Sequence, residues 1–283
     1  MAWCPKAAAE LVKVFESHEI DSFLAKRSVM DVLALAGNKE SQAALRKVLA
    51  SEKARSDDDY FKLLQRISKL EAPDEETAKF AYQIFKDLGA ATDADPMAVY
   101  ASAYSLGAII RRSPDGDLAR EFNTSLVSRL QGARGEDEKY HYLVAVKNAA
   151  RKENVAKVAE FLEEDSVKVR RAAVTALEYT QTDRSEEILM DLAADEEPRI
   201  QQAVFQTLGN YELKPQHYER LDRLVNDGEV REQSWGSMIN FLTRDMTEGD
   251  INEPSFHKLM EDILAVEGLS NKQKERIRRL MSR

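Results

Sequence analysis

Asp165, Asp195 and Asp227 lie 30 and 32 residues apart, and the segments that follow them superimpose. "VRRAAVTAL" (169–177), "IQQAVFQTL" (200–208) and "VREQSWGSM" (230–238) share an apolar first position and an apolar or small sixth and ninth. Between them run shorter amphipathic stretches, "NVAKVAEFLEE", "RSEEILMDLAA" and "QHYERLDRLVN". A period of about 30 to 47 residues in which two amphipathic segments alternate is the mark of stacked helical hairpins, each burying its apolar face on the next. The repeat therefore predicts an all-α chain, a right-handed α-α superhelix of about 14–16 helices. It is read as one continuous domain over 1–283, with its most regular hairpins at 153–244.

The same beat continues backward with less regularity. Helix pairs are expected near 39–52 with 57–71, 74–90 with 96–112, and 117–131 with 137–152. Two helices near 6–36 precede them, and a final pair near 254–282 follows. Pro, Gly and Asp in "APDEE" (72–76), "DADP" (93–96), "SPDGD" (113–117) and "GARGED" (132–137) sit where helix ends and N-caps are expected. No period-two pattern persists, and only 11 Gly and 7 Pro against 32% charged residues suit helices joined by short loops.

In this register Asp165 is the expected cap of its helix. Val169, Ala173, Ala176 and Leu177 face the neighbouring repeat, and Trp235 occupies the buried slot held by Val174 and Phe205. Arg170 and Arg171 follow Val169 as Arg231 follows Val230. Such an arginine pairs with an acidic cap of the adjacent repeat, or else presents a cation to a partner. Arg170, Arg171 and Arg231 are therefore candidate partner-binding residues. Tyr140 and His141, in the run "YHY" (140–142), are two more.

The unit "EEDSVKVRRAAVTALEY" resembles the HEAT repeat, whose second helix opens with Asp, Val and Arg before small residues. A wider similarity spans most of the chain. "VMDVLALAGNKESQAALRKVL" (29–49), "LLQRISKLEAPDEETAKFAYQIF" (63–85), "AVYASAYSLGAIIRR" (98–112), "YHYLVAVKNAARKENVAKVAEFL" (140–162) and "VKVRRAAVTALEY" (167–179) follow in the order seen in the superhelical domain of vitellogenin-like large lipid transfer proteins. That resemblance implies a HEAT/armadillo-like solenoid. Its lipid role is not carried over, because in that family β-sheets wall the lipid cavity and no strand-rich segment occurs here.

Chemistry has little to stand on. His18, His141, His217 and His257 are dispersed, no two at the i,i+4 spacing of a helical zinc pair, and Cys4 is the only cysteine, so no metal site or cofactor is expected. "SDDDYF" (56–61) reads as a helix cap, and "RDMTEGDINE" (244–253) as a loop without calcium-ligand spacing. No nucleophile elbow or phosphate-binding glycine loop occurs, so no enzyme and no catalytic residue is expected. A net charge of −9 disfavours nucleic acid. One local asymmetry runs the other way, the basic "NKQKERIRRLMSR" (271–283), which suits a helix C-terminus or an acidic partner. No membrane span and no leader are read. The compartment is left open, periplasmic or secreted on the lipid-transfer resemblance and cytoplasmic otherwise.

The expected function is a non-enzymatic scaffold whose concave face, lined by the second helix of each hairpin, binds a protein or peptide. The alternative is the helical part of a lipid carrier that shelters apolar ligand with sheets from elsewhere.

Overall fold

The computed structural model describes residues 5–17, 20, 22–113, 116–244, 251 and 253–282. Cys4, His18 and residues 245–250 of the expected loop lie outside them. Seventeen α-helices and no strand occur among the described residues, and the helices group into two compact units, Met1–Ala150 and Arg151–Arg283.

Unit 1 holds α1 (Pro5–Glu16), α2 (Phe23–Ala36), α3 (Lys39–Ala50), the single-turn α4 (Glu52–Arg55), α5 (Tyr60–Leu64), α6 (Glu75–Ala90), α7 (Pro96–Arg112), α8 (Asp117–Gly132) and α9 (Glu136–Ala149). Unit 2 holds α10 (Val155–Ala159), α11 (Val167–Ala176), α12 (Asp183–Leu192), α13 (Pro198–Leu208), α14 (Pro215–Asn226), α15 (Trp235–Leu242), α16 (Pro254–Ala265) and α17 (Asn271–Met281). The one-turn α4 accounts for the excess over the expected 14–16. Each unit is a stack of helical hairpins in which second helices pack in one row, α5–α7–α9 in unit 1 and α11–α13–α15 in unit 2.

The sequence fixes most helix starts by local chemistry. Asn38, Asp74, Thr182 and Ser270 accept backbone N–H groups of their own first turns, and Pro96, Pro198, Pro215 and Pro254 occupy first-turn positions where no N–H is missed. Two expected caps are displaced. Ser166, not Asp165, caps α11 by accepting the Val169 N–H at 3.3 Å, because the helix begins one residue later than the repeat suggested. In "SDDDYF" no side chain caps α5. Asp57 instead accepts the Asp59 N–H and pairs with Lys26 of the previous hairpin.

The cores follow the register. Leu33, Leu45, Leu63, Leu106 and Phe122 are sealed in unit 1, and Val169, Leu177, Phe205, Met238 and Phe256 in unit 2. Trp235 is buried, as its slot predicts.

Successive hairpins are also fastened by a buried glutamine that recurs. In unit 1 the Gln42 amide nitrogen donates to Gly37 O (2.7 Å) and Ala72 O (2.9 Å), while its oxygen accepts the Asp74 N–H (2.8 Å). In unit 2 Gln201 repeats this on Ala193 O (3.0 Å), Glu229 O (2.8 Å) and the Arg231 N–H (2.9 Å). Each is the fourth residue of its helix and ties the loop before that helix to the loop 28 to 32 residues on. Each satisfies backbone groups that would otherwise be unpaired where hairpins meet.

Candidate partner-binding surface

α7 is the most enclosed helix of unit 1. Between 101 and 110 every residue but Tyr104 is buried. Its small residues make this possible. A Cβ on Gly107 would lie 2.2 Å from the Ala145 carbonyl oxygen of α9, so only glycine lets the two second helices approach so closely. What α7 leaves facing solvent at its N-terminal end includes Met97, Tyr100 and Tyr104, at i, i+3 and i+7 on one face.

The close approach sets these rings against those of α9. Tyr100 stacks on His141 with centroids 4.0 Å apart and planes 18° apart, and meets the buried Tyr142 edge-on at 6.3 Å. The Tyr104 hydroxyl hydrogen-bonds to His141 Nδ1, with the rings 5.8 Å apart. Tyr140 stands edge-on to the imidazole at 5.1 Å. Burial pushes the Tyr104 and Tyr142 phenols above their ordinary range, so both stay neutral hydrogen-bonding groups. Tyr100, Tyr104, Tyr140 and His141 remain half-buried, giving an aromatic face with polar edges.

Of the residues singled out in the sequence, Tyr140 and His141 belong to this face. Their partners Tyr100 and Tyr104 were missed, although two tyrosines at i,i+4 in the otherwise small-residue run "YASAYSLG" carried the signal. Arg170, Arg171 and Arg231 are in unit 2. Arg170 reaches Asp195 of the next hairpin at 3.5 Å in a largely covered ion pair. Gln201 holds the equivalent slot in that hairpin. Arg231 contributes its backbone N–H to the Gln201 fastening, and its Nε is buried without a hydrogen-bond partner among the described residues. Arg171 is exposed. The basic α17 lines a groove of about 580 Å³ through Lys272, Arg276 and Arg279, together with Glu275, Thr243 and Leu280.

Two further features bear on chemistry. His217 Nδ1 accepts the Lys214 N–H (3.0 Å), which leaves the ring neutral, so the Glu186 carboxylate 3.3 Å from the same atom is a neighbour and not an ion-pair partner. Among the described residues no three His, Cys, Asp or Glu side chains are grouped to hold a metal, and no helix is long and apolar enough to cross a membrane.

Comparison with known proteins agrees with the hairpin stack. The HEAT-repeat family profile matches residues 155–236. Among solved structures, one described for lipid–protein interactions in lipovitellin is similar with a TM-score of 0.62 and 16% identity, covering 95% of this chain and 29% of that one. The chain thus spans less than a third of lipovitellin's length. YibA from Escherichia coli is similar with a TM-score of 0.53 and 10% identity, covering 100% of this chain and 98% of that one. No curated protein matches by sequence. At these identities the likeness is one of fold, and the chain is an all-α helical-repeat solenoid, HEAT-like over residues 155–236 and similar in fold to the matched part of lipovitellin.

Proposed function

We propose that the scaffold works without catalysis, binding a protein or peptide on the second-helix face of unit 1, the face expected to be concave. The observation that carries this is the aromatic face of α7 and α9. Half-buried tyrosines offer large contact area at low entropic cost, with hydroxyls that fix orientation, and are enriched in binding hot spots for that reason. A helical-repeat stack presents such a face without a closed pocket. Arg171 is a further contact candidate through its exposure, whereas Arg170 is engaged with Asp195 and Arg231 supports the hairpin joint. The charge of −9 argues against nucleic acid as the partner.

The test is selection of displayed random peptides on the full chain, repeated on a Tyr100→Ala/Tyr140→Ala variant whose helical circular dichroism is unchanged. Peptides that bind the parent and not the variant support the reading. A selection that yields no binder, or only binders indifferent to the variant, removes it.

A lipid reading is favoured by one observation, the outward line on α2 where Leu24 is 70%, Leu35 72% and Val32 42% exposed. Such a line is apolar surface that water does not favour. A fluorescent fatty acid whose emission rises with the parent chain and not with Leu24→Ser/Leu35→Ser would support it, and an unchanged emission would remove it.

A further inference from the structure

The run 271–283 sets six bases against one acid in a chain whose net charge is −9. Positive charge is favourable in the last turn of a helix, where Arg278 and Arg279 of α17 stand, and unfavourable in the first, where α17 has Lys272 and no acid. The macrodipole therefore accounts for the end of this run and not for its start. Lys272, Arg276 and Arg279, at i, i+4 and i+7, form one stripe along α17. With Glu275, Leu280 and Thr243, the residue after α15, they line the groove of about 580 Å³. Lys274 and Arg278 stand on the other side of the helix, off the groove.

The stripe keeps most of its charge. Arg279 Nε meets Glu275 at 2.9 Å in an exposed i,i+4 pair, a weak contact that a competing carboxylate can replace. Arg276 donates to the Asn240 side-chain oxygen of α15, a neutral acceptor that places the guanidinium without cancelling its charge. Lys272 is exposed and makes no ion pair among the described residues.

We infer that this groove binds a short acidic peptide segment, whose carboxylates meet Lys272 and the N–H forks of Arg276 and Arg279. A guanidinium fork matches a carboxylate with two parallel hydrogen bonds, which favours side-chain carboxylates over a diffuse negative field. Two other anionic partners fit less well. A membrane surface is held best where apolar side chains insert beside the bases, and among the described residues none of the exposed large apolar side chains belongs to α15, α16 or α17. A nucleic acid would carry its phosphates beyond the groove and along an acidic chain that repels them, whereas a segment a few residues long stays within it. The groove belongs to unit 2, and its assignment does not depend on the aromatic face of unit 1.

The experiment is fluorescence anisotropy of the full chain with a labelled hexaglutamate peptide, and with hexaglutamine as the uncharged control. Hexaglutamate should bind and hexaglutamine should not, and added salt should weaken the complex. Lys272→Gln/Arg276→Gln should weaken binding about tenfold or more, whereas Lys274→Gln/Arg278→Gln, which removes the same charge from the other side of α17, should weaken it at most about twofold. Lys272→Glu breaks no ion pair and puts an acid where the helix dipole favours one. It should raise the melting temperature while weakening binding about tenfold or more, so the loss cannot come from unfolding. Failure of hexaglutamate to bind, or an equal loss from the two sides of the helix, overturns the assignment. So does a parent chain that sediments with phosphatidylserine vesicles and ignores the peptide, which would give the stripe to a membrane, or one from which duplex DNA displaces the peptide at lower concentration.

Discussion

Unit 1 and unit 2 fasten neighbouring hairpins with the same buried glutamine, yet they use their helices differently. Unit 2 repeats short helices in register, and the HEAT profile lies wholly within it. Unit 1 has longer helices, up to the 17 residues of α7, and packs that one so tightly that a glycine is needed where α9 crosses it. Regular repetition makes a stack. Departure from it, where α7 sinks between its neighbours, gathers four half-buried ring-bearing side chains from two helices into one face, with Tyr142 buried behind them.

The shared fastening gives the largest expected effect. Gln42→Ala and Gln201→Ala each remove three hydrogen bonds and leave backbone groups unpaired where hairpins meet, so each should cost about 3 kcal/mol. Urea unfolding of both variants checks this. Near-equal losses would show one device serving both units, and a loss under about 1 kcal/mol for either would mean that water replaces it there.

Two glycines sharpen the contrast in packing. Gly107→Ala forces a methyl against the Ala145 carbonyl and should destabilise by about 1 to 3 kcal/mol. Gly236→Ala in α15 meets nothing within 4 Å of its new Cβ, and it should stabilise by up to about 1 kcal/mol because alanine loses less backbone freedom in a helix. Opposite signs in thermal melts would support the difference. The same sign at both positions would break it.

How much of this was legible in the sequence follows the same division. The unit 2 hairpins could be read because their apolar positions recur, and the slot shared by Val174 and Phe205 correctly placed Trp235 inside. The helix expected over 57–71 could not. It ends at Leu64 and tightens into a 3₁₀ turn over Gln65–Lys69. The Leu64 carbonyl, which a continuing helix would bond to residue 68, is taken by the Ser105 hydroxyl of α7 at 2.9 Å. That is a tertiary contact 41 residues away, invisible to local periodicity. The candidate face is similar. The run "YHY" showed half of it, while Tyr100 and Tyr104 join it only because Gly107 lets α7 and α9 meet.

Arginine clips between hairpins should differ by about half as much. In unit 1 Arg46 reaches Asp74 at 3.0 Å and also bonds Thr77 and Glu76, and although burial works against it, the Thr77 and Arg46 contacts hold the Asp74 carboxyl below its usual range. Arg46→Ala should therefore cost about 2 kcal/mol, against about 1 kcal/mol for Arg170→Ala, whose pair with Asp195 is longer, and under about 0.5 kcal/mol for the exposed Arg171→Ala. If Arg170→Ala proved the costliest of the three, the ordering by geometry would fail.

The smallest expected effect is a pH dependence carried by His217 in unit 2. Burial lowers its pKa, and Lys214 and Arg220 act in the same direction, while the nearby Glu186 carboxylate opposes without prevailing. Asp183, beside Lys214 at 3.7 Å, adds an exposed charge at the rim. The folded state thus keeps the ring neutral, and Nδ1 must stay unprotonated to accept the Lys214 N–H. An unfolded chain takes up the proton more readily, so the contribution to stability is full above roughly pH 6.5 and is lost as pH falls through that value toward the folded-state pKa. His217→Asn sets a carboxamide oxygen near the position of Nδ1 and can still accept the Lys214 N–H, but it does not titrate. Melting temperatures taken across this window should fall for the parent and fall less for the variant, with the two converging at the acid end. If the parent and variant curves ran parallel, the proton uptake would belong to other groups, and the neutral ring inferred from the Lys214 hydrogen bond would have to be given up.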